Sequence, residues 1–195
     1  MKIKLNDIAE IKIGLVLNRK KADMGEEIKH YYKVVSLKSF NENAMYDNTF
    51  ADEFISNEEM KEDYHVKKGD ILLRLRFPNF AVYINEEYKN LIYSSLMVRI
   101  RLLDSRFDAN FISYYLNSNI VKRALSTELS GTTISMIKVA DINEIEIPLI
   151  SLEKQKKIVE YLKLAHKESE LLLNLIEQKQ KYSKEIFEKL VLLGE

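Results

Sequence analysis

Hydrophobic residues change their period once along this chain, close to Pro148. Before that point apolar positions come in short runs. Some runs alternate with polar residues and some follow helical spacing. Alternation predicts strands, because successive strand side chains point to opposite faces, and a spacing of three to four predicts helices. On this basis Asn6 or Asp7 caps a short helix over Ile8, Ala9 and Ile11 that stops at Gly14. Residues 31–37 read as a strand and residues 52–64 as a short acidic helix. Lys68-Gly69-Asp70 is a turn into a strand over residues 71–77, where Leu73, Leu75 and Phe77 alternate with Arg74 and Arg76. Pro78-Asn79 turns the chain again, and residues 80–84 continue as strand. Residues 95–102 alternate too, setting Leu96, Val98, Ile100 and Leu102 opposite Met97, Arg99 and Arg101. Asp108 caps a helix with Phe111, Ile112, Tyr115 and Leu116 on its apolar face, and a second short helix carries Ile120, Val121, Ala124 and Leu125. Gly131 ends that helix. Residues 142–147 make a closing strand that Pro148 terminates.

Beyond Pro148 a single pattern takes over. Ile158, Ala165, Leu172, Ile186 and Leu193 lie seven apart, with Lys179 in the one remaining step. Four residues on from these runs the row Leu162, Ser169, Ile176, Ser183 and Leu190. No Gly or Pro interrupts residues 149–193. A sustained seven-residue repeat asks for a partner helix. The helix therefore either pairs with a second helix through Ile158, Leu162, Ala165, Leu172, Ile176, Ile186 and Leu190, or folds back on its own domain. Polar seam residues such as Lys179 weaken a seam but specify register. The pattern as a whole predicts an α+β fold: a mixed α/β domain over residues 1–150, then one long coiled-coil-forming α-helix over 151–195.

Composition bounds what the chain can do. At 195 residues, 46% apolar and 31% charged, it has the makeup of a globular domain plus an extended element. The absence of cysteine excludes disulfides and thiolate metal sites. The start of the chain has no apolar core for a signal peptide, and no run approaches a membrane span. A soluble, cytoplasmic protein without membrane contact is expected. The formal net charge is zero, which by itself argues against a nucleic-acid binder. The distribution changes that picture. Residues 1–21 hold six Lys/Arg against two acids, residues 41–63 hold eight acids against Lys61, and residues 65–101 hold seven Lys/Arg against three acids. Such blocks either separate into a basic and an acidic face or mix over the surface.

Catalytic chemistry finds little footing. His30, His65 and His166 form no pair at ligand spacing, and no glycine-rich loop is present to cradle a phosphate. No catalytic residue, metal or cofactor is expected. Binding chemistry fares better. If the two arginine-bearing strands pair, Arg74, Arg76, Arg99 and Arg101 share one face, where guanidinium groups either hold phosphates and guanine edges or form a plain solvated surface. Arg19-Lys20-Lys21 is a basic loop tip suited to phosphate, or an ordinary loop. Thr132 and Thr133 after Gly131 combine hydroxyls with backbone N–H groups, which suits phosphate positioning and equally a helix stop. Lys138 completes the basic candidates for DNA contact.

Three stretches read together carry a family resemblance. They are Ser130-Gly131-Thr132-Thr133-Ile134-Ser135, then residues 142–149 (INEIEIPL), then Leu152-Glu153-Lys154-Gln155-Lys156-Lys157-Ile158-Val159. Residues 4–11 (KLNDIAEI) with Gly14, and residues 66–73 (VKKGDILL), agree with it. The chain resembles the specificity subunits of type I restriction–modification systems. It departs from them in having Ile150-Ser151 where prolines are usual and Lys154-Gln155 where Glu-Gln is common. It also departs in length, since typical members hold two recognition domains and two long helices. The resemblance implies a half-subunit with a target-recognition domain over 1–150 and a dimerisation and spacer helix over 151–195. It further implies double-stranded DNA, a second copy of the chain, methyltransferase subunits and a motor-endonuclease subunit as partners, and an inverted bipartite target. Catalysis and the methyl donor would belong to the partners. A coiled-coil regulator that sequesters methyltransferase subunits without reading DNA is the alternative, and a nuclease fragment is a weaker third.

Overall fold

Asp70 shows how the chain turns alternation into a sheet. Gly69, at φ +94°, takes the left-handed conformation that the turn requires and that a side chain resists. The Asp70 N–H closes the turn onto the Lys67 carbonyl at 3.0 Å, and its carboxylate accepts from the Lys67 N–H at 2.8 Å. Strand β5 (Ile71–Arg74) starts at the next residue. It is central to a four-stranded antiparallel sheet with β2 (Ala9–Ile13), β8 (Met97–Leu102) and β6 (Ala81–Tyr83), in the order β2-β8-β5-β6. The computed structural model describes residues 1–22, 30–40, 44–127 and 136–193. The chain divides into two compact units, Met1–Lys156 and Lys157–Glu195.

Within the first unit β5, β6 and most of β8 are buried on both faces, while the edge strand β2 is partly open, with Ile13 exposed. Leu72 lies opposite Val82 and Arg99, and Arg74 opposite Met97, so these side chains share a face. Leu72, Val82, Ile84 and Met97 pack there with Val35, Phe40, Tyr46, Val66, Leu91 and Tyr93. Burial pushes the Tyr93 phenol up to about 12. The alternate residues Ile71, Leu73, Val98 and Ile100 are equally buried, and α1 (Ala109–Leu116) packs across β5 and β6. Asp108 caps α1 by accepting from the Phe111 N–H at 2.8 Å. At the other end Asn117 clasps the edge strand, accepting from the Ala81 N–H at 2.7 Å and donating to its carbonyl at 2.8 Å. This satisfies backbone groups of an edge that would otherwise be open. A second sheet, β4 (Asp52–Ser56), β3 (His30–Val34) and β7 (Leu91–Ile92), lies next in the fold, with β3 and β7 parallel. Strand β1 (Lys2–Lys4) pairs with β9 (Glu146–Pro148), joining the start of the chain to the segment before the long helix.

That helix, α4, runs over Leu152–Leu192. Its first turn belongs to the first unit and is held by Gln155, which is 0% exposed. The Gln155 amide accepts from the Asp108 N–H at 2.8 Å and donates to the carbonyls of Arg106 and Ile150, each at 2.9 Å. A glutamine is needed because one planar group must both accept and donate.

Three sequence expectations change. Residues 6–14 do not form a helix. A 3-10 turn at Leu5–Asp7 leads into β2, whose Ala9, Ile11 and Ile13 alternate with Glu10 and Lys12 and pair in register with β8. Gly14 is required for close approach and not as a helix stop, since a Cβ there would lie 2.3 Å from the Ser94 carbonyl oxygen. The acidic stretch is strand β4 plus a 3-10 turn at Glu62–Tyr64, with Glu53 opposite Lys33 across the strands. The closing strand is shorter than residues 142–147, because α3 (Val139–Asn143) occupies its beginning. The helices α1 and α2 (Asn119–Thr127) follow the pattern read from sequence.

Asp70→Ala removes one partner of the ion pair that Asp70 also makes with Arg101 (2.7 Å to both Nε and Nη2). It is expected to cost about 3 kcal/mol, the low end for breaking a buried pair, because Arg101 keeps some contact with water. Urea unfolding should show this as a lowered midpoint with an unchanged slope.

Candidate nucleic-acid interface

The loop between β5 and β6 is short, cationic and braced. Residues 71–85 contain Arg74 and Arg76 and no acid. Leu75 is buried, its N–H donates to the Leu96 carbonyl at 3.0 Å, and its carbonyl accepts from the Ile137 N–H at 2.9 Å. The Asn79 amide donates to the carbonyls of both Arg74 and Leu75, at 3.2 and 2.9 Å. The Arg74 N–H closes the loop onto the Phe80 carbonyl at 2.9 Å. Only Arg76 and Phe77 project, and the Phe77 ring is 75% exposed.

The same bonds collect other groups at this end of the sheet. Ile137 brings exposed Met136 and Lys138 beside the loop. Lys138 begins α3, where its N–H donates to the Asp141 carboxylate at 3.2 Å. The Lys122 ammonium sits 4.7 Å from the centroid of the Phe80 ring. Nε of Arg74 is buried and has no hydrogen-bond partner among the described residues. The result is a basic surface interleaved with apolar side chains, the mixture that contacts phosphates and bases together. Sequence reading selected Arg74, Arg76 and Lys138 but missed Phe77, Met136 and Lys122 as members. Alternation runs the strand on to Phe77 and sets that ring with Leu73 and Leu75. The Pro78-Asn79 turn directly after it was the available signal that the strand ends sooner.

Two of the four strand arginines belong elsewhere. Arg99 is 1% exposed, donates to the Asp63 carbonyl at 2.8 Å and forms an ion pair with Glu10. It is an internal structural group and cannot reach DNA from there. The strands do pair, but of the four arginines expected on one face only Arg74, Arg99 and Arg101 lie there, without Arg76, and the packing around Leu72, Val82 and Met97 buries Arg99 while Arg74 and Arg101 keep partial exposure. Arg101 is half-buried, and its bidentate bond to Asp70 raises its pKa above the ordinary guanidinium value. Nearby, the Lys12 ammonium lies 2.7 Å from Asp63 and holds that carboxyl below its usual range.

The N-terminal basic run lies on a separate 3-10 turn, Leu17–Arg19. Arg19 and Lys21 are exposed, while Lys20 is engaged by Glu58. Thr132 and Thr133, with Gly131, lie outside the described residues. Among the described residues no group of His, Asp and Glu is arranged to hold a metal, and no helix is long and apolar enough to cross a membrane. His30 and His65 instead flank the Tyr32 ring, at 6.3 and 5.9 Å between centroids.

The second unit is a helix whose apolar residues face solvent. Leu172 and Ile176 are more than half exposed, and Ile186 and Leu190 of the seven-residue rows are exposed as well. Ile158, Leu162 and Ala165 are half-buried. Exposed Tyr161, Leu164, Leu171, Leu175 and Tyr182 widen the apolar stripe beyond the two rows read from the sequence.

Comparison with known proteins gives these features a context. Among curated proteins no match is found. The HsdS subunit from Thermoanaerobacter tengcongensis aligns with a TM-score of 0.69 and 15% identity, over 93% of this chain and 45% of that one. A chain from a structure on complex assembly and conformational transition of the type I R-M system aligns with a TM-score of 0.60 and 19% identity, over 88% and 39%. The type I restriction–modification S subunit from M. genitalium aligns with a TM-score of 0.51 and 20% identity, over 93% and 42%. The chain thus spans less than half the length of these solved chains, and at such identities the likeness is one of fold. The sequence evidence is more direct: a family model described as the type I restriction modification DNA specificity domain matches residues 1–180. With that match running over nearly the whole chain, the protein belongs to the type I restriction modification DNA specificity domain family.

Proposed function

We propose that the chain is the DNA-specificity subunit of a type I restriction–modification system and acts as a homodimer. Two copies pair through α4, and each recognition domain reads one half of an inverted bipartite target. The assembly recruits methyltransferase subunits and a motor-endonuclease subunit, which carry the catalysis.

The observation that carries the dimer is the apolar stripe on the second unit. Leu171, Leu172, Leu175, Ile176, Ile186 and Leu190 all face solvent on one helix. A helix with a persistent apolar stripe is stable only against a partner. A second copy presents the same stripe, and a two-fold axis makes the contact self-complementary. At ~1.5 Å per residue, the 41 residues of α4 extend roughly 60 Å. A pair of such helices can hold two readers a fixed distance apart. Two identical readers related by a two-fold axis favour inverted half-sites. The basic, apolar-studded end of the central sheet supports DNA as the partner of the first unit.

Scattering should return a mass twice 22.9 kDa. Leu172→Glu combined with Ile176→Glu should halve that mass at micromolar concentration. A wild-type monomer would remove the shared-helix reading. Selection from a random duplex pool, with the methyltransferase subunits present, should enrich an inverted motif split by a constant gap. Retained methyltransferase binding with no enriched motif would favour a sequestering regulator. Arg76→Ala and Lys138→Ala should each flatten the dependence of log K on log salt by about one. An unchanged slope removes that residue from the interface.

A further inference from the structure

Phe77 is the most exposed aromatic side chain of the first unit among the described residues. Its ring is 75% exposed, yet the loop beneath it is held at both ends by backbone and Asn79 hydrogen bonds. An exposed ring on a loose loop can turn away from water. This one is displayed by a loop whose flanking residues, Leu75 and Phe80, are anchored in the domain. Its neighbour Arg76 is exposed, Lys138 lies beside the same loop, and no acid occurs from residue 71 to 85. The tip therefore joins two chemistries within two residues: a planar apolar surface and a fixed positive charge.

We propose that Phe77 is a specificity-determining residue whose ring enters a groove of the bound duplex and makes apolar contact with the bases, while Arg76 and Lys138 hold the adjacent phosphates. The inference rests on the reading of this chain as a DNA-specificity subunit. Duplex DNA fits the juxtaposition better than a protein surface does. Phosphates meet the cations, and the apolar features of DNA lie inside the grooves, as thymine methyl groups and as the faces of opened base steps. A short loop with a two-residue tip suits entry into a groove. Arg76 and Lys138 supply affinity without sequence information, whereas an apolar ring against bases senses which base pair is present.

The test uses the full chain with its methyltransferase subunits. Random duplex pools are selected on wild type, Phe77→Ala and Phe77→Leu, and each protein is then titrated against the wild-type motif and a scrambled duplex. Phe77→Ala is expected to lose preference at one or two adjacent positions in each half-site. It should bind the wild-type motif roughly tenfold to a hundredfold more weakly, the usual range for one lost base contact. Binding to the scrambled duplex and the salt slope should stay as in wild type. Phe77→Leu, which keeps apolar bulk, should fall between the two. A rise in 2-aminopurine fluorescence at the affected step that Phe77→Ala abolishes would support insertion between bases, and loss of preference without that rise would support contact at a base edge. A wild-type motif and wild-type affinity for Phe77→Ala would overturn the role of Phe77 while leaving the specificity reading intact. Unchanged DNA preference with weakened methyltransferase binding would overturn it in favour of a protein contact. No enriched motif for wild type itself would remove the specificity reading, and this inference with it.

Discussion

The fold of the recognition unit depends on how buried charge is neutralised along its central sheet. Strands β5 and β8 are covered on both sides over most of their length, so a fully buried charged side chain there needs a partner inside the protein. Asp70 is the pivot. Its carboxylate closes the turn that starts β5 through the Lys67 N–H and grips the Arg101 guanidinium on the neighbouring strand. Two residues along β8, Arg99 repeats the solution with Glu10 of β2 and the carbonyl of Asp63. One chain of polar contacts thus ties together β2, β8 and the start of β5. Removing one partner of such a pair lowers stability, and here it also strands a backbone group, the Lys67 N–H for Asp70 or the Asp63 carbonyl for Arg99.

This arrangement decides where function can lie. Charges committed to holding the sheet are unavailable to a ligand, whereas the end of the sheet where the β5–β6 loop emerges keeps Arg76 and Lys138 exposed, which is why we propose it for DNA contact. The division is a physical one. The sheet supplies rigid anchoring, and the loop supplies side chains that can change without disturbing the core. Leu75 joins the two roles, since it is buried while its backbone holds both the loop and the segment at Ile137. Gln155 plays a comparable part at the start of α4, where one buried amide satisfies three backbone groups. Substituting Gln155 would strand several polar partners together, whereas the Leu75 bonds are made by its backbone and do not depend on its side chain.

Much of this was legible in the chain. Helix α1 was readable because Asp108 caps a clear apolar face, and α4 because its spacing persists without Gly or Pro. The turn at Lys68-Gly69-Asp70 was readable because its glycine punctuates two apolar runs. The segment at residues 6–14 was misread because Ile8, Ala9 and Ile11 fit helical spacing while Ala9, Ile11 and Ile13 fit strand spacing. Local pattern does not choose between two periods in so short a run; pairing with β8 does. The acidic stretch misled for a related reason. Its charges suit a solvated helix, but Glu53 has Lys33 opposite it and β3 alongside.

By itself, then, the sequence determined a mixed α/β fold with a long helix, the seven-residue rows on that helix, and the alternation that sets Arg74 with Arg76 and Arg99 with Arg101 within their own segments. Those properties are local, set by backbone geometry and residue spacing. What only tertiary structure decided was which faces are covered. A strand face reads the same from sequence whether it meets water or a second layer of protein, so Arg99 looked like a binding group and proved to be a buried one. Phe77 differs in the other direction: alternation groups it with the buried Leu73 and Leu75, yet it is an exposed tip, because the strand ends at Arg74.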